Sequence, residues 1–374
     1  MTYNFDKQTS RRNTNSMKWD FKPSNVHPMW VADMDFESPI EIKKALTKVV
    51  DSQIYGYAWP PNELYEVIID RLSKNHHWKV QKEWIVLLPG LVPGLHASAR
   101  VLPEDKSSIM TTTPVYYHLF RSAQTAGKKT TEVPFKRENG QWKMDFDKMK
   151  AELTQEVGMY MLCNPHNPNG RVFSRDELNE LSSFCLENNV ILVSDEIHCD
   201  LILDSTKKHI SVASLNEKIE NQSITLLSPS KTFNIAGLGG SFAVIPNPEI
   251  RKKFEAAKFG IMPHMNLWQI ESMMAAYQHG EPWRKELINY LKANHDYLLE
   301  EINKIPGLSM EACEATYLAW IACDHENPEE YLLKHGLGVS GAQQFNGKGY
   351  FRLNFGTQRH NIDKGLEILR KAFS

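Results

Sequence analysis

The sequence lacks any long hydrophobic run and has little net charge. A helix that crosses a membrane needs about 20 predominantly apolar residues, and no segment of the 374 residues approaches that length. The formal net charge is -2 and the pI is near 6.7, which argues against a polyanionic partner such as DNA or an anionic membrane surface. The expected partner is therefore a small molecule, with no nucleic acid and no membrane.

Cysteine is also scarce, and its spacing excludes two common uses of this residue. The five cysteines are an odd number without CxxC or metal-ligand spacing, so we expect reduced thiols, no disulfide and no metal. The adjacent His76 and His77 point to different sides of a helix, which predicts a surface pair rather than metal ligands. The polar N-terminal segment has no apolar stretch resembling a signal peptide, so the expected location is the cytoplasm.

Hydrophobic periodicity predicts an α/β fold. Between residues 83 and 244, short apolar runs alternate with amphipathic segments, which is typical of βαβ units on a mostly parallel sheet sandwiched by helices. After residue 245 the pattern changes to long charged helical stretches, which indicates a second, smaller α+β domain. We expect a large domain at 48–275 and a small domain formed by 1–47 and 276–374. The predicted strands are 85–88, 108–111, 159–163, 190–194, 224–227 and 240–245, and the predicted helices include 175–188, 248–258, 267–279 and 283–304.

Residues 228–233 (SPSKTF) place one lysine, Lys231, between hydroxyl side chains and an apolar stretch. A lysine that reacts with a carbonyl must lose its proton, and burial together with nearby cations lowers its pKa toward neutrality. Ser228 and Ser230 are placed to hold a phosphate while the amine reaches an aldehyde. Taken alone, the segment also fits a solvated surface lysine, so the interpretation depends on other motifs.

Two turns follow predicted strands and contain residues suited to a phosphorylated ligand. Residues 88–94 (LPGLVPG) turn from a strand into a helix, where free backbone N–H groups and the positive helix end favour a phosphate. Residues 164–170 (NPHNPNG) end the strand 159–163, at the sheet edge where open α/β sheets bind ligands. Asn167 could donate its amide to a phenolate-type oxygen there. A plain strand-to-helix turn and a tight polar turn are the alternatives.

Two charged residues complete the pattern. Asp195 ends the apolar strand 190–194, where a carboxylate can keep a pyridine nitrogen protonated and so make the ring a strong electron sink; an Asp helix cap is the alternative. Arg352, in the alternating segment 349–355 (GYFRLNF), suits two-point contact with a carboxylate if it faces inward, and an arginine facing water is the alternative.

Four motifs in chain order, NPHNPNG (164–170), SDEIH (194–198), SxSK (228–231) and FRLNFG (351–356), resemble those of fold-type I pyridoxal-phosphate enzymes of aminotransferase class I/II, and the resemblance covers essentially the whole chain. The segments 32–36 (ADMDF), 194–198 (SDEIH) and 230–235 (SKTFNI) are most similar to the branch of cystathionine β-lyases and cysteine-S-conjugate β-lyases. The cofactor that the resemblance implies is pyridoxal 5'-phosphate (PLP), and the implied assembly is a homodimer with shared active sites.

The resemblance implies a role for each matching residue. Lys231 would form the Schiff base with PLP, Asp195 would pair with the pyridine nitrogen, and Asn167 would bind the ring hydroxyl. Arg352 would bind the substrate α-carboxylate. Tyr116 would stack on the cofactor ring, and His198 would lie beside the cofactor. The phosphate would be bound by Ser228, by Ser230 and by the backbone N–H groups of Leu91 and Val92. Tyr57 would contact the phosphate bound in the neighbouring subunit.

Two departures from the transaminase pattern favour a lyase. Many transaminases have Tyr three residues after the pyridine aspartate and Arg eight residues after the lysine, whereas this sequence has His198 and Gly239. The expected reaction is β-elimination from L-cystathionine or an L-cysteine S-conjugate, which yields a thiol, pyruvate and ammonia. Lys231 is the expected base and the first candidate for the acid that protonates the leaving sulfur, ahead of Tyr57 and Tyr116. An aminotransferase, or a regulatory protein that retains PLP, are the alternatives.

Overall fold

The computed structural model describes residues 3–138 and 140–374. Its helices within these ranges are α1 (Met17–Asp20), α2 (Ile40–Ser52), α3 (Asn62–His76), α4 (Leu91–Ala99), α5 (His118–Thr125), α6 (Phe146–Ala151), α7 (Arg175–Glu187), α8 (Glu217–Glu220), α9 (Pro248–Lys258), α10 (Leu267–His279), α11 (Glu281–Ile302), α12 (Pro328–Lys334) and α13 (Arg359–Ala372). Among them, none is long and apolar enough to span a bilayer.

The strands alternate with these helices along the first two thirds of the chain. They are β1 (His27–Pro28), β2 (Ile85–Leu88), β3 (Ser108–Thr113), β4 (Lys129–Pro134), β5 (Lys136–Glu138), β6 (Gln141–Lys143), β7 (Val157–Cys163), β8 (Ile191–Asp195), β9 (Ser223–Leu227), β10 (Ser241–Val244), β11 (Leu308–Met310), β12 (Leu318–Cys323), β13 (Leu337–Gly338), β14 (Ser340–Gly341) and β15 (Tyr350–Asn354).

The central sheet has seven strands in the order β2-β10-β9-β8-β7-β3-β4. The run from β9 to β4 is parallel, and β10 is antiparallel to both of its neighbours. Register places Cys163 opposite Asp195 and Asp195 opposite Leu226, so β7, β8 and β9 end level with one another. The loops that follow these three strands therefore meet at one edge of the sheet.

The reversal of β10 brings two further turns to the same edge. Ser241, which begins β10, lies opposite Leu88, which ends β2. The glycines before β10 and the turn that opens α4 are consequently neighbours of the segment after β9. Both faces of the sheet are covered: α4, α5 and α9 pack on one face and α7 on the other, each over a core of buried aliphatic side chains.

A second sheet, β11-β12-β15-β14, is antiparallel and packs with the N-terminal segment and the last helices. Its core joins Met29 and Met34 to side chains of α11 and α13. Phe233 and Ile235, which follow Lys231 closely, belong to the same core. The lysine turn is thus anchored in this second core, while the strand before it belongs to the central sheet.

The α/β fold with a mostly parallel sheet is confirmed, and all six predicted strands are present. Helices α9 and α10 have the predicted bounds. The edge strand β4 was not predicted, because its exposed residues include Lys129 and Glu132 and give little hydrophobic signal. The division into domains stays a prediction, and its boundaries at 47/48 and 275/276 fall inside α2 and α10.

Candidate active site

Lys231 lies in the turn after β9, and its Nζ donates a 2.6 Å hydrogen bond to the carbonyl of Ala32. Burial lowers the pKa of this amine to about 8, with the charge of Arg352 acting in the same direction and those of Asp33 and Asp195 opposing it. A substantial fraction of Lys231 is therefore neutral near physiological pH, which a nucleophilic amine or a general base requires.

Asp195 ends β8 and is buried, with 2% of its surface exposed. Its Oδ1 accepts a hydrogen bond of 3.1 Å from the backbone N–H of Ile197. Burial raises the pKa of this carboxyl to about 7, and the charge of Lys231 partly opposes that rise. A carboxyl in such a position gains from any cationic N–H that is brought against it.

Arg352 on β15 reaches from the second sheet to the edge of the central sheet. Its Nη1 donates to Asn167 Oδ1 at 2.9 Å and its Nη2 to the carbonyl of Trp30 at 3.0 Å. Its buried Nε finds no acceptor in the described chain, although burial lowers the pKa only to about 10. The guanidinium is therefore charged, inward-facing and without a carboxylate partner, which excludes the alternative of an arginine facing water.

Tyr116 and His198 lie beside this group. The backbone N–H of Tyr116 donates to the carbonyl of Asn167 at 3.0 Å, and burial raises the pKa of the Tyr116 phenol far above its usual value. Burial lowers the pKa of His198 to about 3, so its imidazole is neutral. The Nδ1 of His198 is buried and meets no hydrogen-bond partner within the described ranges.

The turns at the end of β2 and the start of β10 form a cradle of backbone groups. Helix α4 begins at Leu91, so the N–H groups of Leu91 and Val92 have no intrahelical acceptor. Gly239 has a φ of +75°, and a Cβ there would lie 2.6 Å from the carbonyl oxygen of Pro89. The arginine found at this position in many transaminases would therefore require a different backbone path.

Ser228 and Ser230 line the same turn with different roles. The Ser228 Oγ donates to the carbonyl of Gly240 at 2.7 Å and accepts from the N–H of Ser230 at 3.1 Å. The Ser228 hydroxyl thus braces the two turns against each other. Ser230 is buried at the start of the lysine turn.

Tyr57 is the one predicted site residue that lies apart from the others. Its side chain is fully exposed, at 110% of the reference value. It belongs to a segment, 53–59, in which Ile54, Tyr55 and Trp59 are also exposed. Within one chain this tyrosine contributes nothing to the group around Lys231.

The structure adds residues that the sequence analysis did not assign. Tyr317 is buried, and its hydroxyl donates to the same Ala32 carbonyl that accepts from Lys231, at 3.0 Å. Asn234 has a φ of +57°, and its side chain binds the N-terminal segment. It accepts a hydrogen bond from the N–H of Met34 and donates to the carbonyls of Met34 and Phe36. The matching segment 32–36 was the available signal for this contact, whereas nothing in the local sequence marked Tyr317.

The prediction of a surface histidine pair is wrong for His76. His77 is exposed, but His76 is buried, with its Nε2 3.7 Å from a carboxylate oxygen of Asp200. Arg71 pairs with the same carboxylate at 2.7 Å, so the charge of Asp200 is already neutralised. His76 is buried because it lies on the side of α3 that contacts Asp200 and His209, whereas His77 lies beyond the end of the helix.

The donor set fits the PLP that the resemblance implies. The free N–H groups at the start of α4 and the glycine-containing turns at Gly90 and Gly239 leave room for a phosphate. The buried Asp195 suits a protonated ring nitrogen, and a neutral Lys231 amine can react with an aldehyde. The orphaned Nε of Arg352 calls for an anion. These features lie together at one sheet edge although their sequence positions extend from 91 to 352.

Comparisons with known proteins agree with this geometry. The family model for aminotransferase class I and II matches residues 29–369. Cystathionine β-lyase PatB of Bacillus subtilis is 34% identical over 99% of this chain and 100% of its own length. Two solved structures align equally completely. The structure of OvoB is 37% identical, with a TM-score of 0.97, and the alignment covers 100% of this chain and 99% of the OvoB chain. The PLP-bound C-S lyase of Staphylococcus hominis is 31% identical, with a TM-score of 0.92, and the alignment covers 99% of this chain and 98% of the lyase chain. The chain belongs to the aminotransferase class I and II family.

Proposed function

We propose that this protein is a PLP-dependent carbon-sulfur β-lyase that cleaves L-cystathionine or L-cysteine S-conjugates. Water and the amino acid give a thiol, pyruvate and ammonia. The observation that carries the proposal is a buried lysine with a pKa near 8 at the same sheet edge as Asp195 and an inward-facing arginine. The full-length similarity to proteins named cystathionine β-lyase and C-S lyase supports a lyase rather than another member of the family.

The residues of the site have separable tasks. Lys231 would hold the cofactor, Asp195 would lie against its ring nitrogen, Asn167 against its hydroxyl and Tyr116 against its face. The N–H groups at the start of α4, with Ser230, would hold its phosphate, and Ser228 would join them by turning its hydroxyl away from the carbonyl of Gly240. When bound, PLP supplies an electron sink that stabilises negative charge at the substrate α-carbon.

Arg352 binds the substrate by its α-carboxylate. Its Nε lacks an acceptor, and its two terminal nitrogens contact only neutral oxygens of Asn167 and Trp30. A carboxylate therefore relieves an unmet charge and orients the amino acid by two-point contact. The proposed reaction requires the α-proton of the bound amino acid to face Lys231.

Proton transfer is assigned to Lys231. As a neutral amine it removes the α-proton, and the resulting ammonium is the nearest source of a proton for the departing sulfur. The carbonyl of Ala32 accepts a hydrogen bond from Nζ at 2.6 Å. This contact would hold the protonated amine between the two proton transfers. The phenol of Tyr116 is the second candidate for the sulfur's proton.

A homodimer is part of the proposal. The side chains of Ile54, Tyr55, Tyr57, Trp59 and Phe259 are exposed, and Trp59 and Phe259 line one surface pocket; clustered exposed apolar side chains are typical of an interaction surface. In the proposed dimer, Tyr57 from the second copy reaches the phosphate cradle. In analytical ultracentrifugation, the purified protein is expected to sediment with about twice the mass of one chain. A monomer at every protein concentration would contradict the proposed dimer.

A cytoplasmic location is also proposed, supported by five buried cysteines that are all unpaired.

The test is production of pyruvate from L-cystathionine with no added keto acid. A lyase releases pyruvate and a thiol in equal amounts over many turnovers, whereas an aminotransferase keeps the carbon-sulfur bond and needs a second keto acid for more than one turnover. Lys231→Ala should abolish turnover and remove the visible absorption of the lysine-bound cofactor. Turnover that depends on an added keto acid, with the sulfur retained in the 2-oxo acid product, would make the protein an aminotransferase.

A further inference from the structure

A cavity of about 640 Å³ opens beside Lys231. The lysine turn forms one wall through Lys231 and Asn234, and the N-terminal segment forms the other through Arg11, Asp33 and their neighbours. The proposed reaction uses the α-carboxylate, the α-proton and the sulfur of the substrate, but it does not assign a place to the group that the sulfur carries. This cavity adjoins the amine and has room for such a group.

Three acidic residues line the cavity, and two of them already have strong partners. Asp35 is buried and accepts from Lys18 Nζ at 2.6 Å, from Trp19 Nε1 at 2.7 Å and from Arg11 at 2.8 Å. Glu37 is exposed at the outer rim and is paired with Lys7. Neither carboxylate has an unmet need for a donor.

Asp33 differs from both. Its Oδ2 pairs with Arg11 Nη2 at 2.7 Å, but its Oδ1 is buried and receives no hydrogen bond from any described residue. A buried carboxylate oxygen without a donor is costly, and such atoms in native structures usually have a ligand or water partner. The Asp33 side chain lines the cavity and is 20% exposed, so a donor that enters the cavity meets a carboxylate with one unpartnered oxygen.

Arg11 does not offer a matching site for an anion. Its Nη1 donates to the carbonyl of Met34 and to Asp35, and its Nη2 donates to Asp33. An anionic group would have to displace one of these acceptors. Asp33 therefore has an acceptor oxygen without a partner, whereas the terminal nitrogens of Arg11 already donate to acceptors of the chain. A ligand in the cavity is expected to supply a hydrogen-bond donor rather than an anion.

Asp33 also lies close to the reacting atoms. It follows Ala32, whose carbonyl accepts from both Lys231 and Tyr317. Its charge is the largest of the electrostatic influences that favour the protonated form of Lys231. A donor carried a few bonds beyond the substrate sulfur is therefore in the neighbourhood of Asp33.

We infer that Asp33 is a specificity determinant that selects S-substituents carrying an ammonium or other cationic N–H donor, with the 640 Å³ cavity as their binding site. The inference rests on the proposed lyase function for the identity of the substrate. L-Cystathionine, with a second ammonium group beyond its sulfur, belongs to this class. Neutral alkyl substituents of the same size leave the Asp33 oxygen without a donor.

The test compares S-(2-aminoethyl)-L-cysteine with S-propyl-L-cysteine, which differ by an ammonium in place of a methyl group. A charge-assisted hydrogen bond in a buried site corresponds to about tenfold or more in affinity. The wild-type holoenzyme should therefore prefer the aminoethyl compound about tenfold in kcat/KM. Asp33→Asn should bring this ratio close to one. A ratio near one in the wild type, or a ratio that Asp33→Asn leaves unchanged, would overturn the inference.

The control is Glu37→Gln, which changes the net charge of the same cavity wall equally but at the rim; its ratio should equal that of the wild type. If Asp33 acts only on Lys231, Asp33→Asn lowers both rates together and keeps the ratio, which also rejects the assignment. Equilibrium binding of the two compounds to Lys231→Ala and to Lys231→Ala/Asp33→Asn, by calorimetry, requires no turnover. If no pyruvate forms from either compound, the lyase proposal fails, and this binding ratio still decides the role of Asp33.

Discussion

Burial moves the pKa values of Lys231 and Asp195 in opposite directions, toward each other. The amine falls to about 8 and the carboxyl rises to about 7. Desolvation is the largest cause in both residues, because each charged form loses water at the sheet edge. The site is therefore built at a cost in stability, which the bound cofactor and substrate are expected to offset.

Asp195→Asn should stabilise the cofactor-free protein at neutral and alkaline pH while lowering activity. The folded chain keeps a proton on Asp195 that the unfolded chain releases between about pH 4 and pH 7, so stability falls as pH rises through this window, by up to about 1.4 kcal/mol per pH unit. The amide cannot ionise. Its melting temperature should match the wild type near about pH 4 and exceed it at about pH 8, with activity reduced about 100-fold or more.

A variant whose melting temperature follows the wild type in parallel at all pH values would contradict this account of Asp195. The loaded enzyme is the informative comparison, because a cationic ring nitrogen stabilises the carboxylate. The stability difference between variant and wild type should shrink or reverse once PLP is bound.

At the scale of elements, the turn from Ala236 to Gly240 controls how closely β10 approaches the start of α4. Gly239 is needed for its backbone: φ is +75°, and a Cβ would lie 2.6 Å from the carbonyl oxygen of Pro89 and 2.7 Å from Gln269 Nε2. Gln269 donates to that same carbonyl at 3.0 Å. The turn, Pro89 and α10 are therefore packed without spare volume.

Gly239→Ala should destabilise the protein by about 1–3 kcal/mol, because the side chain meets both a disfavoured φ and fixed backbone. Urea unfolding measures the change. Gly237→Ala is a matched control in the same turn, since a Cβ there has no neighbour within 4 Å; its cost should stay below about 0.5 kcal/mol. Equal midpoints for the two variants would show that the close approach at Gly239 does not constrain the turn.

The elements that sequence reasoning predicted are those whose signal is local. β7 and the first three residues of β8 are apolar because helices cover both faces of the sheet, and α7 carries its Ser174–Glu177 capping box in the sequence. The direction of β10 has no such signal, since an apolar run reads the same in a parallel and in an antiparallel pair. β4 was missed because an edge strand tolerates polar residues.

At the scale of the whole molecule, buried neutral histidines make the fold sensitive to acid. Burial lowers the pKa of His27 and His76 to about 4 and that of His166 and His198 to about 3. The unfolded chain binds protons at these positions below about pH 6.5, whereas the folded chain does not. Stability that is fully present above about pH 6.5 is therefore lost as pH falls toward about 4.

Equilibrium urea unfolding at about pH 7 and about pH 5 should show a steep loss of stability, up to about 1.4 kcal/mol per pH unit for each histidine. His27→Gln is the test of one contribution. The imidazole Nε2 of His27 lies 2.8 Å from the carbonyl of Asn361, and the Gln amide can donate to that oxygen without titrating. The variant should have a shallower pH dependence, and an unchanged slope would assign the acid sensitivity to other groups.

The sequence by itself determined the α/β fold and singled out Lys231, Asp195, Asn167 and Arg352 as candidate site residues, because each of them stands at the end of an apolar run or within a short motif. The tertiary structure decided which surroundings they have. Tyr317 and Asp33 join the site through Ala32, and Lys231 contacts a carbonyl 199 positions away in the chain. Such contacts depend on how the two sheets and the N-terminal segment pack together. The residues next to Lys231, Asp33 or Tyr317 in the sequence do not indicate that packing.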